Sequence, residues 1–273
     1  MIYTSGTLIA DHYFVVSSAQ GGMGIVYFCQ DAKENRPVAL KTFLPQYLSD
    51  RDRRSLFLKE GETWVSLGKH PHIVQAYRVE RIGDGREIYI VLELVAKDQG
   101  FKDASLRSRL TLHRPLPIDE TLIFALQIAR GMAHATRTIS GFVHRDLKPE
   151  NVLVGADHLR NTKFNRVRVT DFGLALASDI NRQITITGSD EKRSTSISSS
   201  QRFFEIAGTP LYMAPEQWQG RELDLRADVY AFGCILYEML TGDILAKGKN
   251  KEELKWAHQH GLKPVFPSDL DLR

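Results

Sequence analysis

Eight consecutive residues, His144-Arg145-Asp146-Leu147-Lys148-Pro149-Glu150-Asn151, constrain this 273-residue chain more than any other feature, and Asp171-Phe172-Gly173 follows them at a short interval. Two acids, an amide and a lysine stand at spacings that suit handling a phosphoryl group carried by a metal-bound nucleotide. Asn151 and Asp171 are hard oxygen donors of the kind Mg²⁺ accepts when phosphate oxygens complete its shell. An isolated Asp followed by Asn marks a turn as readily as a site. Eight fitting positions in a row, with a second motif behind them, set that reading aside.

The bulk numbers exclude more than they assign. With 42% hydrophobic and 25% charged residues the composition is that of an ordinary globular protein, long enough for one large domain or two lobes. A net charge of +3 is only mildly basic and gives no reason to expect a nucleic-acid partner. Cys29 and Cys234 each lie in an apolar run, which favours buried thiols over a disulfide or a metal site. Residues 1–14 lack the basic start and apolar core of a signal peptide. The longest apolar stretch, 229–240, is broken by Gly233 and Glu238 and is too short to span a bilayer. A cytoplasmic protein without a membrane segment is expected.

Along the chain, strands are expected at 13–18, 24–30 and 38–43, with a glycine turn at 19–23. Residues 51–68 change to helical spacing, with Phe57, Glu60, Trp64 and Leu67 on one face. Two more strands, 73–79 and 88–95, follow. A change from strand-rich to helix-rich sequence near 95–99 marks a lobe boundary. The second part opens a long helix at 117–120, with Leu122, Leu126, Ala129 and Met132-Ala133 as its apolar stripe. Short strands at 152–154 and 167–170 flank the motif tract, and a strong helix at 225–242 closes on Gly242. Residues 185–200 hold nine Ser/Thr in sixteen positions with little to bury, so a mobile loop is expected there.

These motifs together resemble the eukaryotic-like protein kinase family, on the serine/threonine side and similar to its bacterial members. The resemblance covers residues 15–267. It implies an α+β bilobal kinase fold across residues 1–273: a small antiparallel-sheet lobe with one main helix (about 9–95), then a mostly helical lobe (about 96–273). It implies transfer of the ATP γ-phosphoryl group to Ser/Thr hydroxyls of protein substrates, with Mg²⁺, or Mn²⁺ in its place, as the metal. In that family the positions of Asp146 and Lys148 are the catalytic base and the cation that neutralises the transferring phosphate, and those of Asn151 and Asp171 hold the metal. Val38-Ala39-Leu40-Lys41 matches the strand that carries the nucleotide lysine. Alternation puts Ala39, against the base, and Lys41, toward the phosphates, on one face. Glu60 is expected to pair with Lys41, because Glu62 is turned away by most of half a turn.

The glycine loop departs from the family's three-glycine pattern. It reads Ala19-Gln20-Gly21-Gly22-Met23-Gly24-Ile25-Val26, with alanine first. Gly21, Gly22 and Gly24 still allow backbone N–H groups to approach phosphates, and Val26 is expected on the other side of the base. Leu92 is expected to line the back of the pocket, Glu93 and Val95 to offer backbone groups to adenine, and Leu153 to contribute to the nucleotide site. Residues 208–216 match the substrate-side loop, where Thr209 is expected to bridge Asp146 and Lys148. Asp228 and Gly233 match the helix that anchors the catalytic loop, as scaffold.

Arg145 is the residue that pairs, in this family, with a phosphate on the activation segment. A frequent phospho-acceptor position falls on Glu205, a built-in acid, and Thr195 and residues 198–200 are candidate autophosphorylation sites. Members of the family continue with further helices and an arginine that pairs with the counterpart of Glu216, and the given sequence ends at Arg273 before that segment. The resemblance therefore implies either a fragment of a longer protein, the preferred reading, or an abbreviated second lobe. Two other classes stand beside the enzyme: a pseudokinase-like ATP-binding scaffold, suggested by Ala19, and a small-molecule kinase, against which Thr209 and the 208–216 loop argue. Lys148 and Pro149 stand where tyrosine-specific relatives differ.

Overall fold

The computed structural model describes residues 2–21, 24–45, 50–83, 85–155, 165–172 and 210–268. The chain divides into two compact units, Met1–Val95 and Ala96–Arg273.

The first unit is a six-stranded antiparallel sheet with one long helix. Its strands are β1 (Leu8–Ile9), β2 (Tyr13–Gln20), β3 (Gly24–Asp31), β4 (Arg36–Phe43), β5 (Ala76–Ile82) and β6 (Glu87–Glu93), in the spatial order β1-β2-β3-β4-β6-β5. Strict alternation along β3 buries Ile25, Tyr27, Cys29 and Asp31 and turns Val26 and Phe28 to the other face. With Val15, Val38, Leu40, Tyr89 and Val91 from neighbouring strands, the three apolar members form one core. The buried Asp31 carboxylate accepts from the backbone N–H of Lys33 and Glu34 and from Arg78 Nη2 at 3.2 Å, so its charge does not stand alone. The Cys29 thiol is free and buried, and burial pushes it up to about 12.

Helix α1 (Arg51–Ser66) starts where the Asp50 carboxylate accepts the Arg53 N–H. It buries Phe57, Glu60, Gly61 and Trp64 against the sheet, and the Trp64 indole N–H donates to Val74 O at 2.8 Å. Gly61 is what lets the helix lie so close. A Cβ there would come within 2.6 Å of Val79 Cγ2 and 3.0 Å of Ile90 Cγ1.

The second unit holds α2 (Leu106–Leu112), α3 (Ile118–Thr138), a 3₁₀ turn at Pro149–Asn151, the hairpin strands β7 (Val152–Gly155) and β8 (Arg166–Val169), and a second 3₁₀ turn at Pro210–Tyr212. Three helices follow: α4 (Pro215–Trp218), α5 (Leu225–Thr241) and α6 (Lys251–Gln259). Helix α3 packs on β8 and α5. The expected stripe of α3 is corrected by the structure: Thr121, Phe124, Ala125, Ile128, Gly131 and Ala135 are buried, while Leu122 and Leu126 are half exposed and Ala129 is exposed. Two apolar stripes run along this helix about a third of a turn apart, and the packing partners select between them. Helix α5 ends at Gly242, as its sequence predicts, and carries the second thiol, Cys234, also free, buried and pushed up to about 12. Among the described residues no helix is long and apolar enough to cross a membrane.

Candidate active site

The expected site residues gather in two clusters, one in each unit. In the first unit, register places Val26 opposite both Ala19 and Lys41, and Ala39 opposite Phe28 and Leu92. Lys41 Nζ lies 2.8 Å from Glu60 Oε1. The rings of Phe57 and Trp64 flank the ammonium at 6.0 and 5.8 Å, adding cation–π attraction. Glu62, two residues further on, is exposed. Choosing between the two glutamates by helical face therefore succeeds.

At the turn, Gly21 N–H donates to Gly24 O at 2.9 Å. Gly24 sits so close to β4 that a Cβ would come within 2.7 Å of Thr42 O, so no other residue fits without moving the strand. Gly22 lies outside the described residues. Glu93 pairs with Val38 in the ladder and its N–H is committed to Gln75 O at 2.8 Å. The backbone group it can offer a base is its carbonyl. Val95 is half buried at the end of the unit.

The second cluster is built on the tract itself. Asp228, near the start of α5, accepts the backbone N–H groups of His144 (2.7 Å) and Arg145 (2.9 Å). Burial pushes this carboxyl up and those donors pull against the shift. Gln217 on α4 donates through Nε2 to Arg145 O at 2.9 Å. Held on both sides, Arg145 takes a left-handed φ of 68°, which a non-glycine residue adopts only when its surroundings enforce it.

Asp146 follows. Lys148 Nζ donates to both of its oxygens, at 2.9 and 2.7 Å. Asn151 Nδ2 reaches back to Asp146 O (2.8 Å) and Oδ2 (3.0 Å). Burial raises the Asp146 carboxyl above the ordinary aspartate range; Lys148 opposes the rise and Asp171 adds to it.

The His144 ring, buried against Phe172 with centroids 5.0 Å apart, links the tract to the second motif. Its Nε2–H donates to Thr170 O (3.0 Å), and its Nδ1 accepts from Asp146 N (3.4 Å). Thr170 N–H donates to Asn151 O at 2.9 Å, so the two motifs meet edge to edge. Asp171 also takes a left-handed φ, 63°. Leu153 pairs with Arg168 across the hairpin and bridges to Ser105.

Sequence reasoning assigned no role to the His144 ring or to Gln217. The signal for the histidine was its place inside the tract; nothing marked Gln217. Thr209, Gly173, Glu205, Thr195 and residues 198–200 lie outside the described residues. Glu216 is half buried in a cleft of about 460 Å³, which Arg221, Glu222, Asp224, Arg226 and Tyr230 also line.

A small curled antiparallel sheet with one helix, followed by a helical unit whose catalytic tract hangs from a buried Asp, is the protein kinase fold. The chain belongs to the protein kinase family: the family model described as "Protein kinase domain" matches residues 19–270. Membership implies the use of ATP and a divalent metal ion. The chain is 31% identical over 240 residues to a probable serine/threonine-protein kinase of Clostridium acetobutylicum, which covers 88% of this chain and 31% of that protein. It is 32% identical over 245 residues to the serine/threonine-protein kinase PrkC of Bacillus subtilis (89% and 32%). To PknA of Mycobacterium tuberculosis it is 32% identical over 255 residues (92% and 52%). It thus spans about a third of the length of the first relatives it matches. The solved kinase domain of M. tuberculosis PknI aligns with a TM-score of 0.61 at 24% identity, over 90% of this chain and 81% of that one, a likeness of fold.

Proposed function

We propose that this chain is the catalytic domain of a serine/threonine protein kinase, transferring the γ-phosphoryl group of ATP to hydroxyls of protein substrates in the cytoplasm and to its own Ser/Thr residues. The observation that carries the reading is the Asp146 cluster. A carboxylate raised by burial is gripped by a lysine and an asparagine, with Asp171 near enough to act on its charge. Asp146 orients the acceptor hydroxyl and takes its proton. The hydroxyl oxygen forms the new bond to phosphorus as the bond to the bridging oxygen of ADP breaks, and that electron pair leaves with ADP. Lys148, already on Asp146, neutralises charge on the transferring group, and Thr209 bridges the two.

Lys41, steadied by Glu60, binds the phosphates. Gly21, Gly22 and Gly24 present N–H groups to them. Val26 and Ala39 pack on the base, Glu93 and Val95 meet its edge through the backbone, and Leu153 is the nucleotide residue assigned to the second unit. Positioning and fixed charge account for most of the rate.

Mg²⁺ fits the donor set. Asn151 uses Nδ2 on Asp146, while its side-chain oxygen Oδ1 accepts no hydrogen bond among the described residues. Asn151 and Asp171 would hold the ion. Mg²⁺ takes phosphate and water oxygens for the rest of its shell. When bound, the ion supplies positive charge against the phosphate oxygens.

The test is ³²P transfer from Mg-ATP by the parent chain and by Asp146→Asn, with a generic basic protein and Ser, Thr or Tyr peptides as acceptors. Transfer to Ser or Thr that disappears in the variant is the expected result. Binding of Mg-ATP without transfer by the parent would point instead to an ATP-binding scaffold.

A further inference from the structure

Arg107, on α2, meets three side chains from three separate parts of the second unit. Its Nε donates to Glu150 Oε1 at 2.8 Å, and its Nη1 to Glu238 Oε1 at 2.5 Å. Its Nη2 donates to the Tyr212 hydroxyl and, at 3.3 Å, to Glu238 Oε2. The Tyr212 hydroxyl donates in turn to Glu238 Oε2. The planar fork of a guanidinium can serve all three at once; an ammonium cannot.

The partners are placed in a telling way. Glu150 lies in the Pro149–Asn151 turn, beside Asn151. Tyr212 closes the Pro210–Tyr212 turn, three residues after Thr209. Glu238, fully buried on α5, belongs to the helix whose Asp228 carboxylate holds the backbone of His144 and Arg145. Burial works against the Arg107 charge, and Glu238, Tyr212 and Glu150 together more than restore it. Burial and Glu238 push the Tyr212 hydroxyl upward, so it stays a donor.

We infer that Arg107 is a positioning residue for the protein acceptor: it ties the turn that enters α4 to the turn that carries Asn151, so that the substrate side and the catalytic tract hold one geometry. The inference rests on the phosphotransfer reading above. If it holds, Arg107 acts on the acceptor and leaves nucleotide handling alone. A merely structural arginine would depress both together.

The experiment uses the whole chain with Arg107→Lys, Arg107→Ala and the double variant Arg107→Ala/Glu238→Gln. The double variant removes the buried charge along with its partner and serves if Arg107→Ala does not fold. In steady-state assays with a Ser peptide, we expect the peptide KM to rise about tenfold or more while the ATP KM stays within about twofold. Millimolar methylguanidinium should recover part of the loss in Arg107→Ala and none in Arg107→Lys. Amide hydrogen exchange at Glu150, Asn151 and 211–213 should quicken in both.

Folded variants whose peptide KM matches the parent's would overturn the inference, as would peptide and ATP parameters that worsen in step. A parent that phosphorylates nothing sinks the phosphotransfer reading instead. The exchange measurement then decides the coupling by itself, and unchanged exchange at those amides refutes it.

Discussion

The carboxylate of Asp228 receives the backbone N–H of His144 at 2.7 Å, so a helix far along the chain sets where the catalytic tract begins. The neighbouring N–H of Arg145 goes to the other oxygen at 2.9 Å. Removing the carboxylate leaves two buried donors without an acceptor. Asp228→Ala is expected to lower stability by about 3 kcal/mol, and Asp228→Asn, which keeps one acceptor oxygen, by about half of that. Urea unfolding followed by circular dichroism reads both. An unchanged midpoint for Asp228→Ala would show that the tract holds itself without the helix.

Gly61 predicts a substitution that improves local helix propensity and still does harm. Alanine is the better helix former by about 1 kcal/mol. The Cβ contacts with Val79 and Ile90 push the other way, by about 1–3 kcal/mol. Because Glu60 precedes Gly61, displacing α1 should also pull the carboxylate off Lys41. Gly61→Ala should therefore melt earlier and raise the ATP KM, with peptide KM unchanged; a variant as stable as the parent and with its ATP KM would show that the sheet yields freely.

The pH profile follows from Asp146. In the proposed reaction Asp146 must be ionised to take the hydroxyl proton, and burial, opposed in part by Lys148, raises its pKa above the ordinary aspartate value of about 4. The acid limb of kcat/KM for the peptide should break above that value. Lys148→Met removes the opposing charge and should move the break further up, on a lower plateau. A limb that does not move on this substitution would mean that another group controls it.

His258 on α6 governs a different pH dependence. It is almost fully buried, with Nδ1 2.7 Å from the Tyr230 hydroxyl, and burial lowers its pKa to about 4. Above the unfolded value near 6.5 both states are neutral and the residue contributes no slope. As pH falls from 6.5 toward 4 the unfolded chain takes a proton that the folded chain refuses. Stability should drop across that window by up to about 3 kcal/mol. Denaturation at several pH values should show the fall in the parent and a shallower one in His258→Phe; identical slopes would remove His258 as the cause.

What the sequence made legible depended on whether a local rule was enough. The period of α1 separates Glu60 from Glu62 with no tertiary information, and Lys41 then meets the right carboxylate. The tract's spacing is itself the arrangement of Asp146, Lys148 and Asn151. Helix α3 shows the opposite case, since Leu122 and Leu126 read as well as Phe124 and Ile128 until β8 and α5 choose between them. Strand β1 has two residues and α2 seven, too few for periodicity to register. The left-handed Arg145 carries no local mark, because its backbone is held by the distant partners Asp228 and Gln217. The Arg107 junction likewise joins residues up to 131 positions apart.

The two thiols form a built-in pair of gauges. Cys29 lies in the sheet of the first unit and Cys234 in the central helix of the second, and these are the only cysteines in the chain. With burial pushing both up to about 12, the reactive thiolate is scarce at neutral pH, even before burial restricts access. An alkylating reagent should leave the native protein unmodified and mark each half only when that half opens. Peptide mapping after timed exposure would then yield a separate opening rate for each unit, from the natural sequence and with no added probe.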